Sequence, residues 1–308
     1  MDAYLLVHHT QDRLGRPNTD MEQIYFSVSL DGFQWKSLNQ GRPILESTLG
    51  EKGLRDPDVI RSPDGNKFYM VATDLNTKTP GGWRRHSTGS SKSIMVWESD
   101  DLVNWSDQHM VKVARDDAGC SWAPESVYDK VTGEYMVHWA SLTEFDDFGK
   151  QRLYCARTKD FVKFTPPEVY IEKDYSVIDL TFLEVGGQYY RFFKDETTKT
   201  IAMEVGDSVF GEFKAVPTYN LLDKLGYEGP TAFKFNGENK FCLFLDYFGP
   251  GMGYHAFVTD DISSGIFTDM TEQLAWDHVL RHGSVIPITM DEYNRLCERY
   301  GMGYVRPV

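Results

Sequence analysis

Cysteine is scarce in this chain: four residues in 308, Cys120, Cys155, Cys242 and Cys297, stand far apart, and none forms a C-x-x-C pair. That spacing offers neither a zinc site nor a redox couple and reads as mostly buried free thiols. Long apolar runs are also missing, none approaching the roughly 18 residues that a membrane helix requires. Positive charge is in deficit, with 32 Lys and Arg against 46 Asp and Glu and a net charge of −14. Such a surface repels phosphate backbones and anionic membranes, so neither nucleic acid nor membrane is an expected partner, whereas a neutral ligand is. No leader-like segment precedes the first strand-like run, Ala3-Tyr4-Leu5-Leu6-Val7. A cytoplasmic chain and a secreted one that starts after processing both fit.

Aromatic residues, by contrast, make up 14% of the chain, which suits β-sheets and surfaces that stack on sugars. One pattern recurs: an alternating strand, then a turn carrying Asp, then an aromatic. It runs from Ile24 to Trp35, Met95 to Trp105, Leu153 to Phe164, Ile201 to Phe213 and His255 to Phe267. Hairpins with glycine turns stand between the copies, at Asp64-Gly65-Asn66, Thr132-Gly133-Glu134, Gly186-Gly187 and Asn236-Gly237-Glu238. Hairpin, strand, turn and outer strand make one four-stranded antiparallel sheet, so the repeat predicts an all-β, five-bladed β-propeller. The first copy lacks an inner strand. Arg281–Ile288 is expected to supply it by pairing with the N-terminal strand, closing the ring and leaving no free edge. The propeller domain is thus placed at 1–289. Thr289-Met290-Asp291-Glu292 has the form of a capping box, so a short helix and tail over 290–308 are expected within the same domain.

Aligned by the glycine turns and by Pro57 over Pro124, the innermost strands put Asp56, Ala123, Asp179 and Glu228 in one register, with His282 at the equivalent place on the closing strand. Innermost strands line a propeller's channel, so these positions should converge. Carboxylates gathered without partners are costly, which points to a retained function. Two carboxylates across a channel are what glycoside hydrolysis needs, and a third can tune the proton donor. Asp58 and Glu125, two residues further on, face the same way and compete for the role. Candidate sugar platforms are Trp122, Trp83, Trp139 and Phe192, and candidate hydroxyl ligands are Arg191, Lys194 and Arg281. Each of these also has a plain reading as blade packing or charge neutralisation.

These motifs resemble glycoside hydrolase family 43. Arg55-Asp56-Pro57-Asp58-Val59, Trp122-Ala123-Pro124-Glu125, Val177-Ile178-Asp179 and Glu228-Gly229-Pro230 occur in that family's order, followed by Arg281-His282-Gly283-Ser284-Val285. The likeness runs from about residue 4 to 289. It implies a five-bladed inverting hydrolase with Asp56 as general base, Asp179 as the acid that modulates pKa and Glu228 as general acid. Inversion implies carboxyl groups roughly 6.5–9.5 Å apart. Glu125, where the family more often has Asp, would touch substrate. His282 would bind water in the channel, or calcium through water; no other cofactor is implied. The substrate class is a plant cell-wall-type oligosaccharide or polysaccharide, with exo-acting α-L-arabinofuranosidase activity expected first. β-Xylosidase, β-galactosidase or galactofuranosidase activity and a non-catalytic sugar-binding propeller are the alternatives. Fructan-cleaving five-bladed enzymes rank low, because no Asn-Asp-Pro precedes Arg55-Asp56-Pro57.

Overall fold

The repeated turn explains itself in hydrogen bonds. Asp31 Oδ1 accepts from the backbone N–H groups of Phe33 and Gln34, Asp101 Oδ1 from Val103 and Asn104, and Asp160 Oδ1 from Val162 and Lys163. Each is an aspartate ending a strand and reversing the chain with its own side chain. Trp35 and Trp105 then donate their indole N–H to the turn carbonyls of Gly32 and Leu102, pinning the outer strand back onto its blade.

The computed structural model describes residues 1–11, 21–250, 253–277 and 279–303. The expected tail at 304–308 lies outside them. Five antiparallel sheets surround a central axis. The second blade comprises Leu54–Arg61, Phe68–Asp74, Ser93–Ser99 and His109–Lys112, and the third Trp122–Asp129, Glu134–Ser141, Arg152–Thr158 and Glu168–Ile171. The fourth comprises Val177–Val185, Gln188–Asp195, Thr200–Gly206 and Lys214–Ala215, and the fifth Tyr227–Lys234, Phe241–Tyr247, Gly253–Thr259 and Thr268–Asp269. The first blade joins Ala3–Thr10, Tyr25–Ser29 and Gln34–Ser37 to the late strand Leu280–Ile288, which lies innermost. That strand pairs from Ala3 opposite Ile288 to Thr10 opposite Leu280, closing the ring as expected. A short strand, Ala275–Trp276, adds a parallel outer edge that the repeat did not announce.

Apolar faces of neighbouring blades pack together, with Trp139, Phe192, Phe193, Phe244 and Tyr254 among the fully buried side chains. All four cysteines are free, and three of them are buried. Two α-helices occur among the described residues. Met290–Tyr300 carries the capping box, Thr289 and Glu292 bonding reciprocally, and buries Leu296 against the first two blades. Gly82–Thr88 lies in the connection between the second and third strands of the second blade. Neither helix is long and apolar enough to cross a membrane.

The seam tolerates no side chain at Gly283: a Cβ there would sit 1.9 Å from the carbonyl oxygen of Val7. Gly283→Ala is therefore expected to cost about 3 kcal/mol, the upper end for overpacking, because backbone has to move. Gly65 has a φ of +78° and open space around it, so Gly65→Ala should cost only about 1 kcal/mol of left-handed strain. Urea unfolding of both variants checks the contrast; equal losses would mean that the seam is not tightly packed.

Candidate active site

A local irregularity places the functional side chains. In each innermost strand the ladder slips by one residue at the same level: between Arg55 and Asp58, Trp122 and Glu125, Ile178 and Thr181, Glu228 and Thr231, and opposite His8 and His9 on the closing strand. Asp56, Ala123, Asp179 and Gly229 occupy this bulge with φ of 49°, 46°, 53° and 47°. Three non-glycine residues held left-handed at one level are costly and mark a functional tier. Glu228 is therefore not in register with Asp56 and Asp179, as the sequence alignment had it. Gly229 is. Its glycine identity has a steric cause, since a Cβ would lie 2.5 Å from the His282 ring. Glu228 stands one residue earlier, level with Arg55, Trp122 and Ile178.

These residues meet at the floor of a cavity of about 670 Å³ at one end of the channel. Asp56, Asp179, Glu228, Arg281, His282, Lys194, Trp122 and Trp83 all line it. Asp56 is buried, with Oδ1 3.3 Å from His282 Nδ1 and Oδ2 accepting from Thr73 Oγ1 at 3.1 Å. Burial pushes its pKa up, but His282, with Arg55 adding to it, holds the carboxyl far below its ordinary value. Asp179 accepts from the Gly229 N–H at 3.1 Å. Its burial outweighs the attraction of His282 and Lys194, with Glu228 and Asp56 adding repulsion, and lifts its pKa to about 6. Glu228 is clasped by Lys194 at 3.0 Å and Arg281 at 2.8 Å. Burial raises its pKa, yet those two cations bring it below the ordinary glutamate value. Arg281 is itself anchored on the fully buried Asp246.

Over residues 1–294 the chain matches the family model of a probable glycosyl hydrolase domain related to family 43. It belongs to that family. An α-L-arabinofuranosidase of Bifidobacterium longum subsp. longum is 30% identical over 74% of the chain. An arabinoxylan arabinofuranohydrolase of Bacillus subtilis is 24% identical over 34%. The matched regions span only 25% and 22% of these relatives' lengths. Among solved structures, the catalytic domain of a family 62 α-L-arabinofuranosidase of Coprinopsis cinerea shares the fold with a TM-score of 0.51, at 11% identity over 73% of each chain. An exo-β-1,3-galactanase from Clostridium thermocellum does so with a TM-score of 0.52, at 14% identity over 70% of this chain and 48% of that one.

Not every residue singled out in the sequence of this family member reaches the cavity. Trp139 is fully buried between the second and third blades, and Phe192 packs on Tyr219 and Phe267 between the fourth and fifth. Both lie on second strands, where alternation turns every other residue into the inter-blade core. Arg191 is buried too, its guanidinium bonded to Glu204 and stacked 3.9 Å from the Phe213 ring centre. Glu125 lies deeper in the channel beside Asp58, in a second cavity of about 440 Å³ opening at the opposite end. Burial lifts Asp58 to about 6 and, with the charge of Asp58 added, lifts Glu125 well above the usual range.

Two neighbours of Asp56 were not legible. Thr73 also accepts from the backbone N–H of Ala123 at 2.8 Å, linking the bulges of two blades. His9 places Nδ1 3.4 Å from the Asp56 backbone nitrogen and 3.7 Å from its Oδ1. Burial and Arg55 keep its imidazole neutral. The surroundings of His282 do not suit a directly held calcium. Burial alone would lower its pKa, but Asp56 and Asp179 raise it to about 10, so the ring is an imidazolium paired with Asp56. Among the described residues no three His, Cys, Asp or Glu side chains converge to hold a metal ion.

A folded-state pKa near 10, against about 6.5 in the unfolded chain, means that His282 lends stability in full below pH 6.5 and loses it as pH climbs to 10. The stability lost over that window should be on the order of a few kcal/mol. In His282→Gln the slope should flatten, narrowing the gap to the parent protein. Urea midpoints at stepped pH decide this; parallel curves would show that His282 is not charged.

Proposed function

We propose that the chain is an inverting glycoside hydrolase that releases terminal α-L-arabinofuranosyl units from cell-wall-type oligosaccharides or polysaccharides. The observation that carries this is the meeting of Asp56, Asp179 and Glu228 from three blades on one cavity floor, half-walled by Trp122 and Trp83. The arabinofuranosidase relatives favour arabinose over xylose or galactose. Asp56, ionised by its cations, is suited to deprotonate a water. Glu228, adjustable between Lys194 and Arg281, is suited to protonate the leaving oxygen. That role requires the bound sugar to loosen its two cations, because Lys194 and Arg281 favour its ionised form. Asp179 then sets the local charge and orients the sugar.

One observation favours a second assignment, with Asp179 as the acid: its pKa, about 6, is the one raised in the resting site. Leaving groups separate the two. Asp56→Ala should lower turnover of every α-L-arabinofuranoside by about 10²–10⁴. Glu228→Gln should damage substrates with alkoxide leaving groups most and spare a dinitrophenyl arabinofuranoside, whereas Asp179→Asn should affect both alike. The reverse pattern would exchange the roles. Proton NMR of the first-formed arabinose should show the inverted anomer; retention would overturn the mechanism. Failure to cleave any arabinofuranoside, xyloside or galactoside, with sugar binding intact, would leave a lectin.

A further inference from the structure

The cavity wall is uneven. On the face that bears the site, the connection between second and third strands spans residues 75–92 in the second blade but only 196–199 in the fourth. The long connection carries the helix Gly82–Thr88, entered through Gly81 and Gly82 at φ of 118° and 62°, which turn the chain immediately before Trp83. Trp83 is 61% exposed, whereas the other six tryptophans are buried or half-buried. It is nevertheless fixed in direction. Its ring meets Trp122 edge to face at 6.0 Å and 80°, and His86 at 5.7 Å and 79°. His86 is buried beneath it.

The two tryptophans occupy different depths. Trp122 is level with Glu228 and half-buried, so a sugar that reaches the carboxylates packs beside it. Trp83, perpendicular to Trp122 and largely in solvent, stands at the mouth. A ring lying on Trp83 is therefore the next unit out, beyond the bond that the carboxylates would cut.

We propose that Trp83 forms a separate subsite for the sugar on the leaving-group side, taking the apolar face of a pyranose in the chain that bears the arabinose. The inference rests on the hydrolase reading above and narrows it: the protein recognises the bearer chain as well as the terminal arabinose. An indole supplies broad contact at little conformational cost, so the gain appears in substrate affinity for long substrates.

The test compares an aryl α-L-arabinofuranoside, which carries no second sugar, with arabinose-substituted xylotriose. In Trp83→Ala the ratio of kcat/KM on the oligosaccharide to that on the aryl substrate should fall at least tenfold, mainly through KM, and Trp83→Phe should restore part of it. Equal losses on both substrates would place Trp83 at the terminal sugar, and an unchanged ratio would show no subsite; either overturns the proposal. Binding provides an arm independent of turnover. In gels containing soluble arabinoxylan, Asp56→Ala should be retarded and Asp56→Ala/Trp83→Ala much less so, at equal melting temperature. Equal retardation, or none in either, would refute the subsite even if no arabinofuranoside is cleaved.

Discussion

Three carboxylates cannot share one end of a channel unless cations share it with them. Here the balance is struck by His282, Lys194 and Arg281, each buried and each facing more than one acid. The pairing is unequal, and the inequality is what differentiates chemically similar groups. Asp56 has the imidazolium and is strongly acidic; Asp179 has burial and two like charges and holds its proton longer; Glu228 answers to two cations that a ligand can compete for. Removing any one cation would redistribute protons over the whole tier rather than at a single residue.

The backbone supports that arrangement at a local cost. Left-handed Asp56, Ala123 and Asp179 are each tolerated because neighbouring groups fix them: Thr73 bonds to both Asp56 and Ala123, and Asp179 binds the N–H of Gly229, the corresponding position one blade on. Strain at Ala123 and Asp179 is thus tied to hydrogen bonds from an adjacent blade, and strain at Asp56 to one from its own.

Much of this was legible beforehand. Turn aspartates, glycine hairpins and the unpartnered first copy together indicate five blades and the closing strand, because each is a local signal repeated. The axial acids were legible as a group, but the register of Glu228 was not. A bulge adds a residue without changing composition, and only the strand register and the left-handed φ of Gly229 reveal which residue occupies it. Trp139, Phe192 and Arg191 looked like sugar ligands because aromatic and cationic side chains are equally at home between blades. His9 and Thr73 carry no motif. His9 reaches Asp56 from another blade, and Thr73, though opposite Arg55 across the Gly65 hairpin, is one of many strand threonines that composition cannot single out.

The seam between residues 3–10 and 280–288 also bears on how the molecule comes into being. The N-terminal strand can pair early with residues 25–29, but its inner neighbour has yet to be synthesised when the second to fifth blades emerge from the ribosome. At about 5–20 residues per second, that wait lasts on the order of tens of seconds. During it, one buried edge of the first blade is an open template, and His282 and Arg281 have not arrived to neutralise Asp56 and Glu228. The channel end therefore acquires its charge balance in the same event that shuts the ring, which makes completion of the site a late, topologically non-local step of folding.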